Sequence, residues 1–232
     1  MQGTLSVVTW KSVIASLAWI CAMGAALFAP PGTIEWRGGW MLLGEMVVLS
    51  ALTVAWLAKH DPDLLRERLG NPIQKGQSRA DKLFMSMMIV TWYGWLVLMA
   101  LDVKRWHFSH APDWVMYVGA VLIPLGFLAV LRTFRENTFA APVIKIQQER
   151  GQKVIDTGPY ALVRHPMYAA AFLYLLGTPL VLGSWIGLMA LPLVVGLLIV
   201  RIFIEEAALR SGLPGYGEYM SRVRFRLVPG VW

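Results

Sequence analysis

The chain has 232 residues, of which 57% are apolar and only 15% charged, and its mean hydropathy is +0.56. This composition excludes a soluble domain of ordinary type and predicts an integral membrane protein. The net charge of +7 does not indicate nucleic-acid binding, because the basic residues flank apolar stretches instead of forming a basic domain.

Four stretches with almost no charge come first along the chain, each about as long as one bilayer crossing of roughly 20 residues. They are Ser12 to Ala29, Trp40 to Ala58, Leu83 to Leu101 and Trp114 to Leu131. A signal peptide is the alternative for the first stretch, although its apolar core is longer than usual and only Lys11 precedes it. Glu45 lies inside the second stretch, and the sequence identifies no partner for it.

A fifth stretch, Met167 to Val200, contains 34 residues without a charge. One helix of that length would measure about 50 Å, which is too long for a single crossing. Gly183 and Ser184 lie in its middle and favour a turn. The sequence therefore predicts a C-terminal hairpin of two helices and an all-α, polytopic protein with about six transmembrane helices.

Basic residues are distributed unevenly between the two sides of this predicted topology. Eighteen of the 21 Lys and Arg residues fall on the side that holds both termini. The opposite side has only Arg37, Lys104 and Arg105. Because cytoplasmic loops accumulate positive charge, we expect both termini to be cytoplasmic.

The sequence shows no linker or internal repeat, so we expect one membrane domain spanning residues 1–232, with a four-helix half (1–131) and a C-terminal half (132–232). Within the loop from Lys59 to Lys82, the segment Pro62 to Leu69 places three leucines on one helix face. This pattern predicts a short amphipathic helix at the membrane interface.

A helical hairpin returns to the side from which it entered, so its two ends must meet. The residues that this brings together are Tyr160, Arg164, His165, Tyr168, Arg201, Glu205 and Glu206. Two carboxylates at the predicted C-terminal end of a helix oppose its dipole and require a cation, which Arg201 can supply to Glu205. An exposed acidic helix end is the alternative. Free amides at the start of the hairpin are suited to bind a carboxylate.

Three motifs in this region resemble a known family. The segments GPYALVRHPMY (158–168), RIFIEE (201–206) and GYGEYMSRVRFRLVPG (215–230) are similar to the C-terminal half of the isoprenylcysteine carboxyl methyltransferases and their prokaryotic relatives. The resemblance extends from Asn137 to the C-terminus. Related RHPxY elements occur in phospholipid N-methyltransferases and membrane sterol reductases.

The resemblance implies a cytoplasmic pocket for S-adenosylmethionine. Residues that match cofactor-binding positions of the family are Gln147, Gln152, Lys153, Val154, Ile155, Tyr160, His165, Pro166, Met167, Tyr168 and Glu205. Arg201 matches the arginine that meets the substrate, and Asn137 lies in the polar turn where the active site begins. The implied partners are a lipophilic substrate from the bilayer and membrane lipids, with no metal and no nucleic acid.

Methyl transfer from a sulfonium requires a protein that binds a cation, aligns the nucleophile and excludes water. Tyrosine faces, a carboxylate and an arginine meet those needs. A phospholipid amine or a small lipophilic thiol or acid would also suit such a cofactor site. An NADPH-dependent membrane reductase remains the rival enzyme, with Arg150 and Lys153 as candidates to bind the 2′-phosphate. A transporter is the non-catalytic rival, but no inverted repeat is visible.

Overall fold

The computed structural model describes residues 10–70 and 79–232, in which every regular element is a helix and no strand occurs. The all-α prediction is confirmed. Residues 1–9 and residues 71–78, the latter in the loop from Lys59 to Lys82, lie outside these ranges. The helices are α1 (Trp10–Phe28), α2 (Arg37–His60), α3 (Pro62–Arg68), α4 (Arg79–Leu101), α5 (Asp113–Glu136), α6 (Pro166–Leu182), α7 (Trp185–Gly212) and α8 (Tyr216–Arg222). A π-helical turn, Asp102–Trp106, follows α4, and two 3-10 turns, Gln148–Arg150 and Gly158–Ala161, precede α6.

Four of the described helices are long and apolar enough to cross a membrane: α2, α4 with its π-helical turn, α5 and α7. The apolar parts of α1 (Ile14–Phe28) and of α6 are shorter. At about 1.5 Å per residue, the 17 residues of α6 give a helix somewhat shorter than the roughly 30 Å bilayer core. Six apolar helices therefore occur where the sequence predicts them, but length and composition support four crossings.

The predicted C-terminal hairpin is confirmed. Between α6 and α7, Gly183 adopts a left-handed conformation with φ of 75°, which glycine adopts without a Cβ penalty. Ser184 then caps α7, because its hydroxyl accepts a hydrogen bond of 2.8 Å from the Gly187 amide. The turn occupies two residues, so the chain returns directly to the side from which α6 started.

Helix α7 continues beyond the charge-free stretch and ends only at Gly212. Glu205 and Glu206 therefore lie inside the helix, and their predicted position at its C-terminal end is wrong. The residues that follow, Ala-Ala-Leu-Arg, are strong helix formers, and no helix breaker occurs before Gly212 and Pro214. The two carboxylates consequently need partners from other elements, not from the helix end.

Helices α5 and α6 lie backbone against backbone. A Cβ atom added to Gly119 of α5 would be 2.4 Å from the Val181 amide nitrogen and 2.7 Å from the Gly177 carbonyl oxygen of α6. A Cβ on Gly126 would be 3.0 Å from the Tyr174 amide nitrogen. Small residues permit this approach. It places the start of α6 beside the end of α5, where the predicted active-site turn begins.

A buried carboxylate holds the turn of the hairpin at the opposite end of the bundle. Asp102 is fully buried and accepts hydrogen bonds from the hydroxyls of Ser109 at 2.6 Å and Ser184 at 2.5 Å. The Trp95 indole donates to the Gly187 carbonyl oxygen at 2.8 Å. These contacts attach the closed end of the hairpin to α4, so the open base is the end available to form a site.

The predicted amphipathic helix is present as α3, and its apolar face packs against protein. Its position at the membrane interface stays a prediction. Asp61 caps the helix by accepting from the Leu64 amide at 3.0 Å. Leu64 and Leu65 are almost fully buried and pack in a cluster with Phe134 of α5 and Ala140. The apolar face is therefore covered by protein, because the loop after α5 folds back over it.

Candidate functional site

The base of the hairpin brings α6 and α7 together through Tyr168. Its hydroxyl donates a hydrogen bond of 2.6 Å to the Glu205 carboxylate and accepts one of 3.0 Å from Nε of Arg201. The predicted convergence of these residues is therefore present. No direct ion pair joins Arg201 and Glu205 in the described part of the chain, because the tyrosine hydroxyl lies between them.

The guanidinium of Arg201 is buried and fully engaged by protein atoms. Nη1 pairs with Asp81 of α4 at 3.2 Å and contacts the sulfur of Met85 at 3.1 Å. Nη2 donates to the carbonyl oxygen of Pro142, in the loop after α5. Arg201 therefore connects α4, α6, α7 and this loop, and a carboxylate of the protein already balances its charge.

Glu206, the neighbour of Glu205, belongs to a separate cluster. Its carboxylate binds Arg164 Nε at 2.7 Å, His165 Nε2 at 3.2 Å and Arg226 Nε at 3.0 Å. Arg164 also donates from Nη1 to the Val223 carbonyl oxygen at 2.8 Å. The cluster fastens the C-terminal segment to the start of α6, and it uses the imidazole to which the resemblance assigns a cofactor contact.

The amides at the start of α6 are less available than the sequence predicts. Those of Arg164 and His165 donate to the carbonyl oxygens of Phe225 and Arg226, both at 2.9 Å. Pro166 has no amide hydrogen. The predicted carboxylate site on free amides is therefore wrong for these residues, because the C-terminal segment occupies them.

A cavity opens between the hairpin base and the loop after α5. Together with the open solvent at its mouth, the empty space here measures about 840 Å³. The predicted site residues among its lining are Asn137, Gln152, Lys153, Val154, Ile155, Tyr160, His165, Met167, Tyr168, Arg201 and Glu205. One cavity thus collects most of the residues singled out by the resemblance.

Gln147 and Pro166 do not line this cavity. Gln147 is buried and supports the loop instead: its side-chain amide donates to the Phe139 carbonyl oxygen at 2.9 Å, and its backbone amide donates to Gln152 Oε1 at 2.7 Å. Sequence reasoning missed lining residues from the loop, from α7 and from α8. They include Phe139, Ala140, Ala141, Val143, Ile144, Lys145, Ile146, Leu209, Leu213, Tyr216 and Tyr219, whereas Arg164, which also lines the cavity, was among the residues predicted to converge. The loop residues have no helical period that would reveal a buried face.

Three tyrosines surround one side of the cavity. Burial raises the pKa of Tyr160 to about 12, partly offset by its hydrogen bond with Asn137, so the phenol stays neutral at physiological pH. Tyr219 donates to the Tyr160 carbonyl oxygen at 2.8 Å. The hydroxyl of Tyr216 is buried and has no hydrogen-bond partner among the described residues. Because Tyr216 lines the cavity, its hydroxyl is a candidate partner for a ligand.

The residues proposed for a 2′-phosphate separate in the structure. Arg150 donates hydrogen bonds to Gln147 and, at 2.9 Å, to Thr138. It does not line the cavity, whereas Lys153 does.

Within residues 10–70 and 79–232, no group of three or more His, Cys, Asp or Glu side chains is arranged to hold a metal ion.

Residues 114–213, which run from α5 to the end of α7 and contain the hairpin, match the phospholipid methyltransferase family. A probable protein-S-isoprenylcysteine O-methyltransferase of Oryza sativa subsp. japonica is 35% identical over 115 residues, covering 47% of this chain and 59% of the relative. The chain carries an isoprenylcysteine carboxyl methyltransferase-like region. The resemblance predicted from the three motifs is thus confirmed.

Two further relatives show the same pattern of partial coverage. The protein-S-isoprenylcysteine O-methyltransferase of Schizosaccharomyces pombe is 29% identical over 107 residues, which is 43% of this chain and 45% of the relative. The cobalt-zinc-cadmium resistance protein CzcN of Cupriavidus metallidurans is 26% identical over 133 residues, 55% of this chain and 59% of the relative. The chain thus spans about half the length of the curated relatives it matches. With its apolar helices, it is an integral membrane protein.

Proposed function

We propose that this protein is an S-adenosylmethionine-dependent methyltransferase whose lipophilic acceptor reaches the site from the bilayer. One observation carries the proposal: most of the residues matching the cofactor positions of the resembling family line a single cavity, although they come from the loop before α6, from α6 and from α7. That cavity opens at the base of a hairpin of apolar helices, where a polar cofactor and a membrane-borne acceptor can meet.

The lining suits the cofactor chemically. When bound, S-adenosylmethionine supplies the methyl group on a sulfonium cation. Tyr160 and Tyr168 offer aromatic faces to a cation or an adenine ring, and Glu205 offers carboxylate oxygens to ribose hydroxyls or an amino group. The unpartnered Tyr216 hydroxyl adds a hydrogen bond that no protein atom in the described ranges uses. The cavity is also lined by Gln152, Lys153, Val154 and Ile155.

We assign a supporting role in the cofactor site to His165, Pro166, Met167 and Gln147. His165 and Met167 line the cavity, whereas Pro166 and Gln147 shape the elements beside it. Asn137 holds the Tyr160 hydroxyl at the end of α5. We assign Arg201 to the acceptor side, because it lies one helical turn from Glu205 and lines the cavity.

The acceptor belongs to the class of amphiphiles with a lipid tail. The names of the rice and fission-yeast relatives specify isoprenylcysteine as the acceptor, whereas the matching family is described as phospholipid methyltransferases. A prenylated carboxylate is our first candidate, and a phospholipid amine is the second on the strength of the family match. We further propose that the cavity and both termini face the cytoplasm, in keeping with the basic side of the chain.

Calorimetry on the purified protein tests the cofactor. We expect S-adenosylmethionine and S-adenosylhomocysteine to bind and NADPH not to bind. Tyr160→Ala should weaken S-adenosylhomocysteine binding by about 1–3 kcal/mol, because one stacking or hydrogen-bonding contact is lost. Tyr117→Ala is the matched control, since this exposed tyrosine of α5 lies outside the cavity. NADPH binding without S-adenosylhomocysteine binding would instead support the reductase.

A further inference from the structure

Arg68, at the end of α3, reaches the edge of the cavity although no motif predicts a role for it. Its Nη1 donates to the Ala140 carbonyl oxygen at 2.9 Å and lies 4.0 Å from the sulfur of Met167. Ala140 and Met167 both line the cavity. The guanidinium carbon is 4.3 Å from the centre of the Phe134 ring. The charged end of Arg68 is therefore held beside the cavity wall.

The charge of Arg68 has no ion-pair partner among the residues that the structure describes. None of the carboxylates in residues 10–70 and 79–232 forms an ion pair with it. Residues 1–9 and 71–78, outside those ranges, contain neither Asp nor Glu. Its helix neighbours differ, because Arg66 pairs with Asp63 and Glu67 pairs with Lys145.

A partly buried guanidinium is costly to keep unpaired, because the protein has removed part of its hydration. Burial lowers the pKa of Arg68 to about 10, so the side chain remains charged at neutral pH. Phe134 compensates in part through its ring face. Within the described ranges, Nε and Nη2 of Arg68 make no hydrogen bond to any other residue. The N–H groups on these two nitrogens are therefore available to a ligand.

Arg201, which lines the cavity, has its charge balanced by the protein. Arg201 is paired with Asp81, and its three nitrogens already have protein partners. A second negative group near Arg201 would have to displace the carboxylate of Asp81. An anion at Arg68 meets no such competitor, so of these two arginines it is Arg68 that can accept a new negative group.

We propose that Arg68 binds the anionic group, a carboxylate or a phosphate, of the amphiphilic methyl acceptor. This inference rests on the proposed function. The site is rigid, because the leucines of α3 pack against α5 and Glu67 pairs at 2.7 Å with Lys145, itself a lining residue. A bidentate carboxylate or phosphate matches the planar guanidinium fork. The lipid tail of the acceptor would extend from there toward the bilayer.

The test compares charged and uncharged amphiphiles in detergent solution. The probes are N-acetyl-S-farnesylcysteine, its carboxamide, dodecyl phosphate and dodecanol, each measured by competition with saturating S-adenosylhomocysteine present. We expect the parent to bind an anionic probe at least about 10-fold more tightly than its neutral analogue. Arg68→Gln and Arg68→Met should lose this preference, and Arg68→Lys should keep part of it. Arg66→Gln, on the exposed face of α3, should behave as the parent.

The two charged probes distinguish the source of the anion. A preference for farnesylcysteine over its carboxamide supports a carboxylate of a prenylated acceptor, whereas a preference confined to dodecyl phosphate supports a phospholipid headgroup. The inference is overturned if folded Arg68→Gln retains the preference of the parent, or if it loses S-adenosylhomocysteine affinity by the same factor. An Arg68-dependent preference in a protein that binds no S-adenosylhomocysteine would support the anion site and overturn the methyltransferase proposal.

Discussion

Glu205 and Glu206 are adjacent in sequence but have different surroundings. Successive residues of an α-helix point about 100° apart, so two neighbouring side chains reach different parts of the protein. Glu205 lines the cavity and accepts from Tyr168, whereas Glu206 pairs with Arg164 and Arg226 around the C-terminal segment. The acidic pair in the RIFIEE motif therefore combines one residue of the cavity with one residue that holds the fold.

Conservative amide substitutions should separate these roles. Glu206→Gln should lower the free energy of unfolding by about 3–5 kcal/mol, because it leaves buried cations without their counter-charge. Glu205→Gln should leave stability nearer that of the parent and weaken S-adenosylmethionine binding by about 1.5–3 kcal/mol. Thermal unfolding in detergent and calorimetry measure the two effects. Equal losses of stability in both variants would contradict the division.

Tyr216 and Tyr219 offer a second matched pair. Tyr219→Phe removes a hydrogen bond to the Tyr160 carbonyl oxygen and should lower the free energy of unfolding by about 1 kcal/mol. Tyr216→Phe breaks no hydrogen bond within the described ranges, so we expect little loss of stability but weaker S-adenosylhomocysteine binding. Unchanged affinity in Tyr216→Phe would show that the ligand does not use this hydroxyl.

The pair of Arg201 and Asp81 should be strongly coupled. Arg201→Ala removes the cation that balances the buried Asp81 carboxylate and should destabilise the protein by about 3–5 kcal/mol, and Asp81→Asn in the same chain should recover part of this loss. Arg201→Lys should recover only part of acceptor turnover, since the ammonium lacks the fork. A double-mutant cycle on unfolding measures the coupling. Additive effects would contradict a direct ion pair.

At the scale of secondary-structure elements, the contact between α5 and α6 positions the site. Glycines at this contact let the two backbones meet, which sets the start of α6 beside the Asn137 turn at the end of α5. The lining loop then has only to connect two ends that are already close. The packing of α5 against α6 thus determines the geometry of the polar cavity at the base of the hairpin.

Gly119→Ala tests that contact. The added methyl group would lie 2.4 Å from the Val181 amide nitrogen, so we expect a loss of about 1–3 kcal/mol in the free energy of unfolding and weaker cofactor binding. Gly94→Ala in α4 is the control, because no heavy atom lies within 4 Å of the new Cβ. The control should be as stable as the parent or slightly more stable. Similar losses in both variants would indicate a general effect of alanine.

For the whole molecule, the charge distribution predicts the orientation in the membrane. Reporter fusions at Met1, Gln74, Gln148 and Trp232 should report the cytoplasm, whereas fusions at Gly32 and Ala111 should report the opposite side. Met1 and Gln74 lie outside the described residues. A signal from the opposite side at Gln148 would separate the cavity from a cytoplasmic cofactor and contradict the proposed function.

The sequence by itself determined the apolar helices and the hairpin. Both depend on local properties, namely the length of charge-free stretches and a Gly-Ser turn between them. Because a two-residue turn sends the chain straight back, the sequence also predicted that Tyr168 would meet Arg201 and Glu205. The end of α7 was predicted too early, since the loss of hydrophobicity after Val200 marks a change of surroundings and not the end of a helix.

Only the tertiary structure decided how the polar groups are partnered. Asp81 and Arg201 are 120 residues apart, and Arg68 reaches Ala140 across 72 residues, so neither contact leaves a local pattern in the sequence. The same holds for the irregular loop that supplies much of the cavity wall, because an irregular segment has no period from which its buried side can be read. Periodicity and spacing report which face of one element is apolar, whereas the pairing of charges depends on which elements become neighbours.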